Sequence, residues 1–231
     1  MKKVFLMILM LSVFFTPLFA MKNPEGLIDR LPTKKKVVSL TFDDGPLPVV
    51  TDTLLAILEQ EKIRATFFLI GINVAKHPKL VEKIYMGGHD LGNHSYHHIR
   101  LDQLMGEALQ FEIADTNHLF TNILGFTPLY FRPPGGRTNA YVLDRADEHS
   151  LIPVGWTLNA NDFLYRKEQL SEEELESRTN RIIRNFKQVL KPGSIILMHN
   201  GNDISIRLLP KLIKFIKDEG YSFVPLSTFL K

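Results

Sequence analysis

The chain contains no cysteine in its 231 residues. That absence excludes disulfide staples, thiolate zinc sites, a thiol nucleophile and the acylated cysteine of a lipoprotein. Any metal therefore has to be held by His, Asp and Glu. An excess of one charge is missing too, since 28 Lys and Arg stand against 25 Asp and Glu, for a formal net charge of +3. With no long basic run either, nucleic acid is not expected as a partner. No Gly/Ser linker, internal repeat or low-complexity segment divides the chain, so a single domain is expected. What is present is ordinary globular composition, 45% hydrophobic and 23% charged, and a domain of about 200 residues can bury a sizeable core.

Lys2 and Lys3 precede an uncharged run from Val4 to Met21 that includes Pro17-Leu18-Phe19-Ala20. A positive start, an apolar middle and a small residue before the cut are the layout of a secretory signal. Residues 1–20 are accordingly read as a signal peptide cleaved after Ala20, residues 21–35 as a lead-in, and 36–231 as the domain. The run is 18 residues long, at the border of what spans a bilayer, which leaves an uncleaved anchor as the alternative. After cleavage no stable membrane span is expected. Both readings place the domain outside the cytoplasm, secreted or in the periplasm or cell envelope, and the sequence carries no signature of oligomeric state.

Short apolar runs alternate with amphipathic stretches along the rest of the chain. Val37–Phe42, Ala65–Ile70 and Leu129–Phe131 read as strands, each followed by a helical pattern, at Val50–Leu58, Leu80–Tyr85 and Tyr141–Ala146. After Ile152–Trp156, Ser171-Glu172-Glu173-Glu174 is a capping box opening a helix that Pro192-Gly193 stops. Ser194–Met198 and Tyr221–Val224 read as the last strands, with Leu208–Ile216 as the helix between them. Strand and helix in alternation signal a parallel sheet, and about seven strands with six or seven helices favour one α/β barrel. Lys34-Lys35-Lys36 and the Glu172 triplet read as solvated element starts.

Nearly every polar cluster falls just past the carboxyl end of a candidate strand, where such folds place their active sites. Thr41-Phe42-Asp43-Asp44-Gly45-Pro46 reads either as a turn or as two adjacent carboxylates around a cation, because like charges raise each other's pKa unless a cation sits between them. His94-Ser95-Tyr96-His97-His98 follows the third strand. In helical geometry His94 and His98 share a face at a spacing suited to one ion, with His97 pointing away and His89 left as a supporting or core histidine. Two histidines and one carboxylate leave coordination positions open, as a catalytic site requires, and the spare Asp43 can take a proton from water. Arg132-Pro133-Pro134-Gly135-Gly136 is a rigid turn whose guanidinium can pair with Asp43 and whose glycine amides can donate to an oxyanion. Trp156 to Phe163 sets Asp162 beside aromatic rings. His199 ends a buried strand, where it is either a strand terminus or a general acid backed by Asp162.

These five clusters, in this order, resemble the polysaccharide deacetylases of carbohydrate esterase family four, whose shared module is the NodB homology domain; the resemblance covers roughly Lys36 to Leu230. The family pattern runs TFDDG, H-S/T-x-x-H, R-x-P, D-x-x-D-W and L-x-H. The resemblance implies a distorted (β/α)7-type barrel. It implies Asp43 as general base, Asp44, His94 and His98 as ligands of a divalent metal (Zn2+, with Co2+ or another ion as alternatives), Arg132 as the arginine that orients the base, and His199 as general acid with Asp162 as its partner. Leu197 falls at a wall of the acetyl pocket, and the Gly135 amide at the oxyanion, where many relatives carry tyrosine. Asn159 and Phe163 replace the first aspartate and the tryptophan of the fourth segment, which, with Trp156, reads as altered substrate walls. The implied activity is metal-dependent hydrolysis of N-acetyl groups on an N-acetylglucosamine-containing glycan, of peptidoglycan or chitin type. An O-acetyl esterase acting on xylan, a catalytically silent carbohydrate-binding relative and a periplasmic metal-binding protein are the rivals. The last leaves Arg132, Asp162 and His199 unexplained.

Overall fold

The computed structural model describes residues 22–165, 170–201 and 203–231, so the signal-peptide reading lies outside the described residues. Strands and helices alternate as β1 (Val37–Asp44), α1 (Val50–Gln60), β2 (Thr66–Leu69), α2 (Gly71–Lys76), α3 (Pro78–Met86), β3 (Asp90–Asn93), α4 (Gly106–Leu124), β4 (Tyr130–Phe131), α5 (Ala140–Glu148), β5 (Ile152–Pro153), β6 (Leu158–Asn159), α6 (Glu172–Val189), β7 (Ile195–His199), α7 (Asp203–Asp218) and β8 (Ser222–Phe223). The strands form one parallel sheet in the order β5-β4-β3-β2-β1-β7-β6, with β8 added on the first residues of β1. Curled, this is an open (β/α)7-type barrel in a single domain. The Ser171 capping box is formed with Glu174, as the sequence predicts.

Central β1 is buried at all eight positions. Its odd and even residues face opposite sides of the sheet. Val38, Leu40 and Phe42 pack outward beside Ile196 and Met198 of β7 and against Leu54, Leu58 and Leu212 in the helix layer, each such side chain stabilising the fold by about 1.5–3 kcal/mol on burial. The interior side is filled by a second cluster that includes Phe68, Tyr130, Ile195, Leu226 and Leu230. Ile28 and Leu31, from the segment read as a lead-in, belong to this cluster. The same segment bridges from Val154, just past β5, to Ser194, just before β7, through Ile28 and Arg30, so residues of 22–35 pack as part of the folded unit.

Register then sets the site. Asp43 lies opposite His199 of β7, while Leu69 lies opposite Asn93, and Asn93 opposite Phe131. The residues immediately after β3 and β4, His94 and Arg132, therefore emerge at one carboxyl-end level with the two aspartates.

Candidate active site

Asp43 is 4% exposed and its Oδ1 accepts a 2.7 Å hydrogen bond from Arg132 Nη1. Arg132 is wholly buried, and it also donates to Thr41 Oγ1 and to the carbonyls of Val154 and Gly155, its guanidinium 4.1 Å from the centre of the Phe68 ring. Burial works against the guanidinium's charge, and the Asp43 carboxylate opposes that effect. The pair is thus locked by neighbours that satisfy the remaining donors, which an ion pair removed from water requires. Asp44 sits in left-handed backbone, φ 84°. Asn73 Nδ2 donates to its carbonyl, and Asn200 N to that of Asp43.

The sequence expectation of a helix through His94 and His98 is corrected here: the segment is an irregular loop, with Ser95 at φ 62° and His98 at φ 58°. The turn still brings the two imidazoles together, ring centroids 4.9 Å apart. Asp44 Oδ1 lies 3.8 Å from His94 Nε2 and 3.4 Å from His98 Nε2, and these three side chains offer ligand atoms all within 4.8 Å of one another. Ligands held about 2.0–2.2 Å from an ion lie roughly 3–3.5 Å apart, so small shifts complete the set. His94 Nδ1 lies 2.6 Å from the Arg132 carbonyl. Because a carbonyl only accepts, Nδ1 carries a proton there, which leaves Nε2, facing Asp44, as the ring nitrogen available to a metal. The residues therefore fit a divalent cation.

His199 lies across the cleft. Its Nδ1 is 2.7 Å from Asp162 Oδ1, its backbone N–H donates to Asp162 Oδ2, and Ser205 Oγ donates to the same oxygen at 2.5 Å. Burial alone pushes this imidazole toward neutrality. The hydrogen bond and charge of Asp162, with the charges of Asp43 and Asp44, outweigh it, and His199 titrates above its ordinary value. Phe163, 39% exposed, leans against the ring at 5.2 Å.

A cleft of about 290 Å³ gathers these groups, lined by Asp43, Asp44, His94, His98, Gly135, Trp156, Asn159, Phe163, Leu197 and His199. Arg132 and Asp162 stand behind that lining, both fully buried. The twelve residues that the resemblance placed at the site, Asn159 among them, thus lie in the wall or directly behind it. Gly135 has φ 64°, and Gly136 lies where a Cβ would come 2.7 Å from the Trp156 ring. The supporting roles of Thr41, Asn93, Glu112, Asn117 and Ser205 were missed, because the partner of each is far away in sequence and is supplied only by the fold.

Two aspartates, a cation-capable triplet and a carboxylate-backed histidine around one small cleft define a hydrolase. Residues 30–154 match the polysaccharide deacetylase family profile. The chain is 34% identical over 213 residues to a peptidoglycan-N-acetylglucosamine deacetylase of Bacillus cereus, covering 90% of this chain and 95% of the relative. It is 30% identical over 177 residues to a chitooligosaccharide deacetylase of Azorhizobium caulinodans, covering 76% and 79%. The solved structure of the Bc1960 peptidoglycan N-acetylglucosamine deacetylase superposes with a TM-score of 0.77 at 31% identity, over 87% of this chain and 91% of that one. The chain belongs to the polysaccharide deacetylase family, carbohydrate esterase family 4, and is a hydrolytic deacetylase.

Proposed function

We propose that this protein removes N-acetyl groups from an N-acetylglucosamine-containing glycan of the cell envelope. The observation that carries this reading is that Asp43 and His199, register neighbours on β1 and β7, open into one cleft with Asp44, His94 and His98. A divalent cation bound by those three, Zn2+ by its preference for this donor set, supplies Lewis acidity toward the acetyl carbonyl and water. Asp43, fixed by Arg132, takes a proton from the attacking water. The Gly135 amide, in a turn with positive φ, donates to the developing oxyanion. His199, positioned by Asp162, gives its proton to the departing amine, and Leu197, Phe163 and Trp156 wall the acetyl and sugar. The names of the relatives support peptidoglycan or chitin-type oligomers as the substrate. The apolar run before Met21 supports export, and among the described residues no helix is long and apolar enough to cross a membrane.

Acetate release from peptidoglycan, chitin oligomers and acetyl-xylan, measured side by side with and without a chelator, tests this reading. Chelator-sensitive release from either of the first two is expected. Release from acetyl-xylan alone would make the protein an O-acetyl esterase, and release from none would make it a silent relative.

A further inference from the structure

Backbone strain in the loop between the two histidines has to be held by something, because left-handed backbone at residues other than glycine costs about 1–3 kcal/mol per residue and persists only where neighbours over-determine it. Ser95 and His98 are two such residues within four positions. None of the four N–H groups of Ser95, Tyr96, His97 and His98 pairs with a main-chain carbonyl; side chains accept all of them. Asn93 Oδ1 takes Ser95 N, Ser95 Oγ takes His98 N, and Glu112 Oε2 takes both Tyr96 N and His97 N, each at 2.9 Å. The other oxygen of Glu112 lies 2.7 Å from His97 Nδ1. Glu112 is 2% exposed on the inner face of α4. A carboxylate buried to that degree is costly unless it is saturated with donors; here all three named donors come from the loop.

We infer that Glu112 is a positioning residue for the metal-binding histidines, setting the loop so that His98 stands against Asp44 and His94. This rests on the proposed reading of Asp44, His94 and His98 as ligands. The loop is pressed onto Glu112 from the far side by α2, whose Gly71 and Ile72 N–H groups donate to the carbonyls of Ser95 and Tyr96. Loss of the carboxylate orphans two backbone donors and frees His97, and His98 follows its neighbour. Supporting residues behind metal ligands typically carry a 10–100-fold effect on metal affinity.

The test is Co2+ affinity by chelator competition on the purified protein, with unfolding midpoints of the same samples, for wild type, Glu112→Ala, Glu112→Gln and Leu109→Ala. Leu109 lies on the same helix, buried among apolar neighbours. Glu112→Ala is expected to weaken Co2+ binding about 10–100-fold. Glu112→Gln keeps an oxygen for the backbone donors but gives up the charge that faces His97, and is expected to weaken Co2+ binding measurably, though by less than the alanine does. Leu109→Ala should lower the midpoint yet keep wild-type affinity. If Glu112→Ala does not fold, Glu112→Gln against Leu109→Ala decides: the inference is overturned if, at a matched loss of midpoint, the two weaken Co2+ equally. Wild-type affinity in both Glu112 variants overturns it outright. Wild-type protein that takes up no Co2+ sinks the ligand reading as well, and so separates the two failures.

Discussion

The two ends of β3 are separated by four residues and treat ionisable groups in opposite ways. At the amino end, His89 is 6% exposed and its Nδ1 accepts the Ala65 N–H, while Asp90 accepts from Thr66 Oγ1 and Ser227 N. Burial pushes His89 down to about 4, aided by the charge of Arg64, and raises both Asp90 and Tyr130. Every shift there favours the neutral form. At the carboxyl end, burial is answered by an opposite charge or a cation-capable set: Arg132 against Asp43, Asp162 against His199, and Asp44 against His94 and His98. A large pKa shift therefore does not mark the active site of this molecule. Mutual charge compensation around a shared cleft does.

The largest effect that would break this comparison is at the triplet. Asp44→Ala, His94→Ala and His98→Ala should each lose bound metal and drop turnover to background together, because two remaining ligands hold a divalent ion poorly. Metal content by mass spectrometry beside acetate release checks it, and full occupancy in one variant removes that residue from the set. Asp43→Asn should keep the metal and lose about 10²–10⁴ in kcat, the usual range for general acid–base participation. Equal metal loss in Asp43→Asn and Asp44→Asn would mean that both aspartates coordinate.

The carboxyl end was readable because its residues are consecutive in sequence at each strand exit: Asp43-Asp44, His94 with His98, Arg132 and His199 announce themselves as clusters. α4 (Gly106–Leu124) was not read as a helix because its buried face carries Glu112, Thr116 and Asn117, which interrupt the apolar stripe that signals helix. Glu112 and Asn117 are polar because they hold the histidine loop and β3, while Thr116 bonds back to the Glu112 carbonyl of its own helix, so the supports of the site erased the local signal. β6 is two residues long and invisible to any periodicity. The geometry of His94 and His98 was drawn as helical from spacing alone, whereas side-chain acceptors for the loop N–H groups dictate a turn. Ile28 and Leu31 looked like a lead-in because the strands they bridge are distant in sequence.

A smaller effect sharpens the comparison on the acid side. His199→Ala should retain metal and lose about 10²–10³ in kcat on an N-acetyl substrate, since an amine departs only when protonated. On an activated acetyl ester, whose leaving group needs no proton, the loss should be tenfold less. Asp162→Asn removes the carboxylate that raises His199, so the alkaline limb of kcat against pH should move downward. Equal losses on both substrates with an unmoved limb would leave His199 as a strand terminus.

The smallest effect concerns the other end of β3, where activity should not respond at all. His89 stays neutral in the folded state down to about pH 4, whereas in the unfolded chain it protonates near the ordinary histidine value of 6.5. Its folded pKa is therefore depressed, and protonation favours the unfolded state: the contribution to stability is whole above about pH 6.5 and is lost as pH falls toward 4. At about 1.4 kcal/mol per unit the loss approaches about 3 kcal/mol across that window. His89→Asn keeps an acceptor for the Ala65 N–H and cannot titrate. It gives up the edge contact with Phe67, so it should be less stable by about 1 kcal/mol at pH 7.5 yet fall less steeply on acidification. Asp90 and His199 have raised folded pKa values, so their contributions run with the opposite sign and are lost as pH rises. Subtracting wild-type from variant unfolding free energies, at matched metal content, cancels both. The curves should converge and cross between pH 6.5 and 4, with kcat at pH 7.5 within twofold of wild type. Parallel curves would show that the fold does not depress the pKa of His89, and the contrast between the two ends of β3 would fail at its amino end.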